Sequence, residues 1–135
     1  MRHRCLLLAD AHQNLLEAVR GLLGRRFATT LMVADEPSLL EAVGRMEPDL
    51  VVVDLSLPAS GGVNVVRTLF SRYPGLRVIV LSVHDEQMAV SQALSAGAAG
   101  FVLKRTVAVD LTAAVDAVLQ GETYVSAVLG WRPGG

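Results

Sequence analysis

The sequence predicts an α/β fold: a doubly wound, five-stranded parallel sheet with five helices distributed over both faces. Three observations point there. Five short apolar runs alternate with segments whose apolar residues recur at helical spacing, which makes five βα units in succession. With 135 residues the chain is about one domain, long enough for a layered core. And because 52% of the residues are hydrophobic but only 4% aromatic, that core must be built from Leu, Val and Ala.

In chain order, CLLLA at 5–9 reads as strand 1, and Leu15, Leu16, Val19, Leu22 and Leu23 follow at helical spacing. FATTLMVA at 27–34 is β-rich. After the capping-type residues DEPS, Leu39, Leu40, Val43 and Met46 share one helical face. LVVVD at 50–54 is strand 3, and the loop PASGG separates it from a helix carrying Val65, Val66, Leu69 and Phe70. YPG at 73–75 punctuates the chain before LRVIVLS, strand 4, at 76–82. A helix from about Asp85 to Ala96 is rich in Ala and poor in large apolar groups, and GFVLK at 100–104 is strand 5. The last helix places Leu111, Ala114, Val115, Val118 and Leu119 on one stripe and stops at Gly121. The remainder, ETYVSAVLGWRPGG, has no clear period, so residues 1–121 read as one domain and 122–135 as a C-terminal tail or linker stub. Right-handed crossovers leave few topologies for five such units, and the flavodoxin-like order 2-1-3-4-5 is the expectation.

Composition narrows the function. The formal net charge is −1 and no basic run exceeds Arg25-Arg26, so these residues carry no nucleic-acid footprint. The apolar run after the basic start ends at Asp10, too short for a signal peptide, and no stretch approaches the ~18 apolar residues of a membrane span. The single Cys5 cannot form an internal disulfide, which fits a reducing cytoplasm.

In open α/β sheets ligands bind beyond the carboxyl ends of the strands, where the strand order reverses. Strand 1 ends in Asp10, strand 3 in Asp54, strand 4 in Ser82 and strand 5 in Lys104, the chain's only lysine. Taken singly, such an Asp is commonly a helix cap and such a Lys a surface charge. Together, at neighbouring strand ends, they form a site. Two adjacent carboxylates repel unless a cation lies between them, and an oxygen-only cluster suits Mg²⁺. A Lys acting as a point charge and a Ser able to donate fit a phosphoryl group beside that metal, and a carboxylate can itself be the nucleophile.

These residues resemble the receiver domains of two-component response regulators, which are CheY-like. PDLVVVDLSLPASGG resembles the family's phosphoacceptor segment, with Pro58 four residues and Gly62 eight residues after Asp54; VIVLS resembles its strand 4, GAAGFVLK its strand 5 and LLLADAHQ its acidic start. The similarity covers about residues 3–126. GAAGFVLKRT and the closing GETYVS resemble the NarL/FixJ type, whose receivers precede a helix-turn-helix DNA-binding domain. The resemblance implies that Asp54 accepts a phosphoryl group from a sensor histidine kinase. It implies that Asp10, Asp54 and the carbonyl of Ser56 hold Mg²⁺, that Ser82 and Lys104 contact the phosphoryl group, and that Phe101 is the aromatic switch. Ser56 and His84 fall at positions that tune phosphoryl loss. The implied output is a switched helix 4/strand 5 face, with a possible homodimer, and transcription control through an output domain outside these residues.

One position departs from the family. The second of its two consecutive acids is here Ala11, a methyl group that cannot coordinate, so weakened Mg²⁺ binding is expected. Ala11 also supports an alternative, a pseudo-receiver acting as an interaction module with weak or no Mg²⁺-dependent phosphorylation. An enzyme is not expected: an aspartate-nucleophile phosphatase of the haloacid-dehalogenase type needs a second Asp where Ser56 stands, and DAHQNLL is no flavin-phosphate loop.

Overall fold

The computed structural model describes residues 3–10, 16–56, 63–126 and 129. Ala11, the PASGG loop and Trp131 lie outside the described residues. The elements run β1 (His3–Ala9), α1 (Leu16–Leu23), β2 (Phe27–Val33), α2 (Glu36–Met46), β3 (Leu50–Asp54), α3 (Val63–Arg72), β4 (Val78–Ser82), α4 (Gln87–Ser95), β5 (Gly100–Leu103), α5 (Val107–Leu119) and β6 (Tyr124–Val125). Every strand pairing is parallel, in the order β2-β1-β3-β4-β5-β6. The expected order 2-1-3-4-5 is present, with one strand added.

Side-chain alternation along the strands divides the core into two layers. Leu7, Val51, Val53, Val80, Phe101 and Leu103 face α2, α3 and α4 and pack with Leu39, Val66, Leu69 and Val90. Leu6, Leu8, Val52, Ile79, Leu81 and Val102 face the other way, onto Val19, Leu23, Leu111 and Val115 of α1 and α5. Strands buried on both faces read as continuous apolar runs, which is why VVV precedes Asp54.

Local chemistry sets the ends. Asp35 caps α2 by accepting the Ser38 N–H at 2.8 Å, as DEPS predicts. Helix α4 buries only Val90 and Ala93, its start lacks a side-chain cap, and Met88 is exposed, so it is held by few apolar contacts. Two residues past its end stands Gly97, whose φ of +115° no side chain adopts comfortably; a Cβ there would lie 2.4 Å from the Phe70 ring.

Two boundaries differ from expectation. Strand 5 stops at Leu103, and Lys104–Thr106 form a single 3₁₀ turn. The sixth strand lies in the stretch that reads as aperiodic. Two residues are too short to show a period, and β6 exists because the edge of β5 offers it unpaired backbone groups. The Tyr124 N–H donates to the Ala99 carbonyl at 3.1 Å and the Ser126 N–H to the Phe101 carbonyl at 3.0 Å.

Candidate functional site

The site is assembled by strand order. Ala9 pairs with Val53, so Asp10, one residue on, stands at the strand end beside Asp54. On the other side of Asp54 comes Ser82 of β4, and beyond it β5 leads into Lys104. Asp10 and Asp54 are each only 1% exposed, and Ser82 is buried as well.

Strands are spaced about 4.8 Å apart, so β5 lies roughly 10 Å from β3, a gap only a long side chain spans. Lys104 crosses the end of β4 and forms a close ion pair with Asp54 Oδ2. That oxygen is buried and accepts no hydrogen bond, so the ammonium is what compensates it among the described residues. The lysine side chain keeps 24% of its surface exposed, because its stem covers the mouth of the site while its tip reaches in.

The second carboxylate oxygen is engaged differently. Ser56 donates twice to Asp54 Oδ1, from its N–H at 2.9 Å and its hydroxyl at 2.8 Å, an Asx-type turn closing the strand. This holds the carboxylate in one orientation with Oδ2 turned toward Lys104. The Ser82 hydroxyl, in turn, accepts the His84 N–H at 2.9 Å, so it is tied to the loop before α4. His84 itself is exposed, its Nδ1 3.9 Å from Glu86.

Asp54, Leu55, Ser56, Ser82, Val83, His84 and Lys104 surround a cavity of about 70 Å³. That is space for about two waters, or a compact group such as a phosphoryl, beside the carboxylate. Phe101 does not line it; it is fully buried in the core layer facing α2, α3 and α4. Ala11 falls outside the described residues. The donor set is of the kind a hard cation takes, two buried carboxylates with a backbone carbonyl beside them, and no group of three or more His, Cys, Asp or Glu that could hold a metal lies among the described residues.

A third buried carboxylate escapes sequence reading. Asp110, in the first turn of α5, accepts from the Thr106 hydroxyl at 2.6 Å and the Tyr124 hydroxyl at 2.8 Å. Burial pushes its carboxyl up, but bonds from Thr106, Ser126 and Tyr124 outweigh this and hold it below the usual carboxylate range. The available signal was an acid interrupting an apolar helix face, four residues after a Thr.

With this geometry in view, known proteins are informative. Residues 6–116 match the response regulator receiver domain family. The transcriptional regulatory protein DegU of Brevibacillus brevis is 34% identical over 122 residues, covering 89% of this chain and 52% of that protein. The DNA-binding transcriptional activator DevR/DosR of Mycobacterium tuberculosis is 32% identical, covering 89% and 56%. The chain thus spans about half the length of the curated relatives it matches. Among solved structures, a LuxR-family response regulator from Aurantimonas sp. superposes with a TM-score of 0.88 at 28% identity, covering 96% of this chain and 94% of that one. The signal receiver domain of NarL from Mycobacterium tuberculosis gives 0.80 at 29% identity, covering 90% and 98%. A buried aspartate at the end of β3, a lysine reaching it from β5 and this likeness over nearly the whole chain agree: the chain belongs to the response regulator receiver domain family and is related to its NarL/LuxR-type transcriptional regulators.

Proposed function

We propose that Asp54 is the phosphoacceptor of a two-component phosphorelay, taking a phosphoryl group from a sensor histidine kinase. The observation that carries this is the pairing of Asp54 Oδ2 with the chain's single lysine at the wall of a small, partly polar cavity. A buried carboxylate oxygen with no hydrogen bond is a competent nucleophile once its charge is held by one cation. The oxygen attacks phosphorus, the bond from phosphorus to the donor histidine nitrogen breaks, and the imidazole leaves with the electron pair. Ser56 keeps the carboxylate oriented during the attack through its two bonds to Oδ1. Lys104 then follows the negative charge outward onto a phosphoryl oxygen, and Ser82 exchanges its bond with the His84 backbone for one with the same group.

Mg²⁺ would be held by Asp10, Asp54 and the Ser56 carbonyl, and supplies positive charge against the two carboxylates and the incoming phosphoryl group. Ser56 and His84, on the wall of the cavity, tune access of water to the product. Phe101 responds from within the core when the β4 end and the loop after it repack. The lightly anchored α4 and β5 form the face that changes. Residues 1–121 together with the added strand β6 form the receiver body, and the segment after it leads toward an output domain that binds DNA. The protein works in the cytoplasm and pairs with a second copy; no helix among the described residues is long and apolar enough to cross a membrane. No described feature favours the pseudo-receiver alternative.

Incubation with Mg²⁺ and acetyl phosphate, followed by intact mass measurement, tests the proposal. One phosphoryl group should be gained by the chain and none by Asp54→Asn. An adduct that persists in the variant defeats it, as does no adduct at all.

A further inference from the structure

The segment after α5 is tied to the same strand that leads into Lys104. Leu103, the residue before the lysine, donates its N–H to the buried Ser126 hydroxyl at 3.0 Å, a side chain completing the ladder where backbone pairing ends. Val125 and Leu129 pack against the core layer on the α4 side and Tyr124 against the layer on the α5 side, so the segment straddles the sheet edge. At α4, the Gln87 amide donates to the Leu129 carbonyl at 2.8 Å. At α5, Asp110 accepts from the hydroxyls of Thr106 and Tyr124.

The 3₁₀ turn of residues 104–106 connects this arrangement to the phosphoacceptor. Lys104 at its start pairs with Asp54, and Thr106 at its end bonds Asp110. The turn is only three residues long and carries both contacts, so any backbone shift at Lys104 reaches Thr106 and Leu103. From this geometry we propose that residues 122–126 with Leu129 form a strap whose hold on β5 is set by the Lys104–Asp54 pair and loosens when Lys104 is drawn outward. A domain carried beyond the strap would feel that release directly. The proposal deepens the phosphoacceptor reading and rests on it.

Amide hydrogen exchange by NMR, with and without Mg²⁺ and beryllofluoride, tests the strap, while fluorine NMR reports separately whether beryllofluoride is bound. With the ligand bound, the Leu103 and Ser126 amides should exchange about fivefold faster, the change that losing roughly one net hydrogen bond carries. The β1 amides should not change. Bound ligand with unchanged strap rates overturns the proposal. No bound signal defeats the phosphoacceptor reading instead, and the ligand-free Lys104→Met variant then decides: faster strap exchange through openings smaller than global unfolding supports it, whereas no change, or a rise that only tracks global unfolding at β1, overturns it. Thr106→Val keeps the side-chain shape without the hydroxyl and should abolish the response to beryllofluoride; a retained response overturns the route through Asp110.

Discussion

Replacing Lys104 with Met removes the charge that compensates a carboxylate buried to 1% exposure, beside a second carboxylate buried to the same degree. At close contact and an effective dielectric near 20, the pair attracts by about 4 kcal/mol. Breaking a buried pair costs about 3–5 kcal/mol, because the remaining charge stays desolvated. The lysine is about a quarter exposed, so the pair is partly screened and a loss of about 2–3 kcal/mol is expected at neutral pH. With a urea slope of about 1.5 kcal/mol per molar, the unfolding midpoint drops by roughly 1–2 M. The reverse change, Asp54→Asn, costs less, since the half-in lysine can turn to water while the local excess of negative charge falls by one. A double-mutant cycle isolates the pair term and should yield at least about 1 kcal/mol of coupling. A midpoint for Lys104→Met within about 0.3 M of the parent, or a coupling near zero, would show that the ion pair does not hold this site together.

Three further outcomes are expected. Burial, with the Asp110 bond and charge, pushes Tyr124 up to about 12. A folded pKa above the unfolded value of ~10 contributes stability that is complete below pH ~10 and disappears as pH rises toward 12. Absorbance titration should therefore show one tyrosine ionising late, and Asp110→Asn should bring it earlier; no difference between the two proteins refutes the contact. Gly97→Ala forces a side chain into a positive-φ position against the Phe70 ring and should cost about 3 kcal/mol in denaturant unfolding; a change below about 1 kcal/mol refutes the close approach. Ala11→Asp adds the missing acid and should tighten Mg²⁺ binding in an NMR titration, while sub-millimolar saturation of the parent together with no gain in the variant contradicts the expected weakness.

Much of the site was legible because its members mark strand ends. Asp10, Asp54, Ser82 and Lys104 each interrupt an apolar run, and parallel βα order then dictates which ends are neighbours. The orientation of each group was not legible. Whether the Ser82 hydroxyl faces Asp54 or the His84 backbone depends on the loop before α4, and the two hydrogen bonds that Ser56 donates to Oδ1 depend on how the chain turns after β3. Phe101 was expected at a switch position, and its full burial away from the cavity wall is a packing outcome that its residue type does not reveal.

The sequence by itself determined the alternation of strands and helices, the two-faced burial of the sheet and the carboxylate displayed after VVV. Those features follow from local periodicity and strand-end chemistry, which short stretches carry within themselves. Tertiary structure alone decided that Lys104 spans two strands to reach Asp54, that YV in an aperiodic stretch becomes a sixth strand, and that Thr106, Asp110, Tyr124 and Ser126 meet. Each depends on groups far apart in the chain finding unpaired partners at a sheet edge or a buried charge, and the free energy for that arises only once the rest of the sheet is in place.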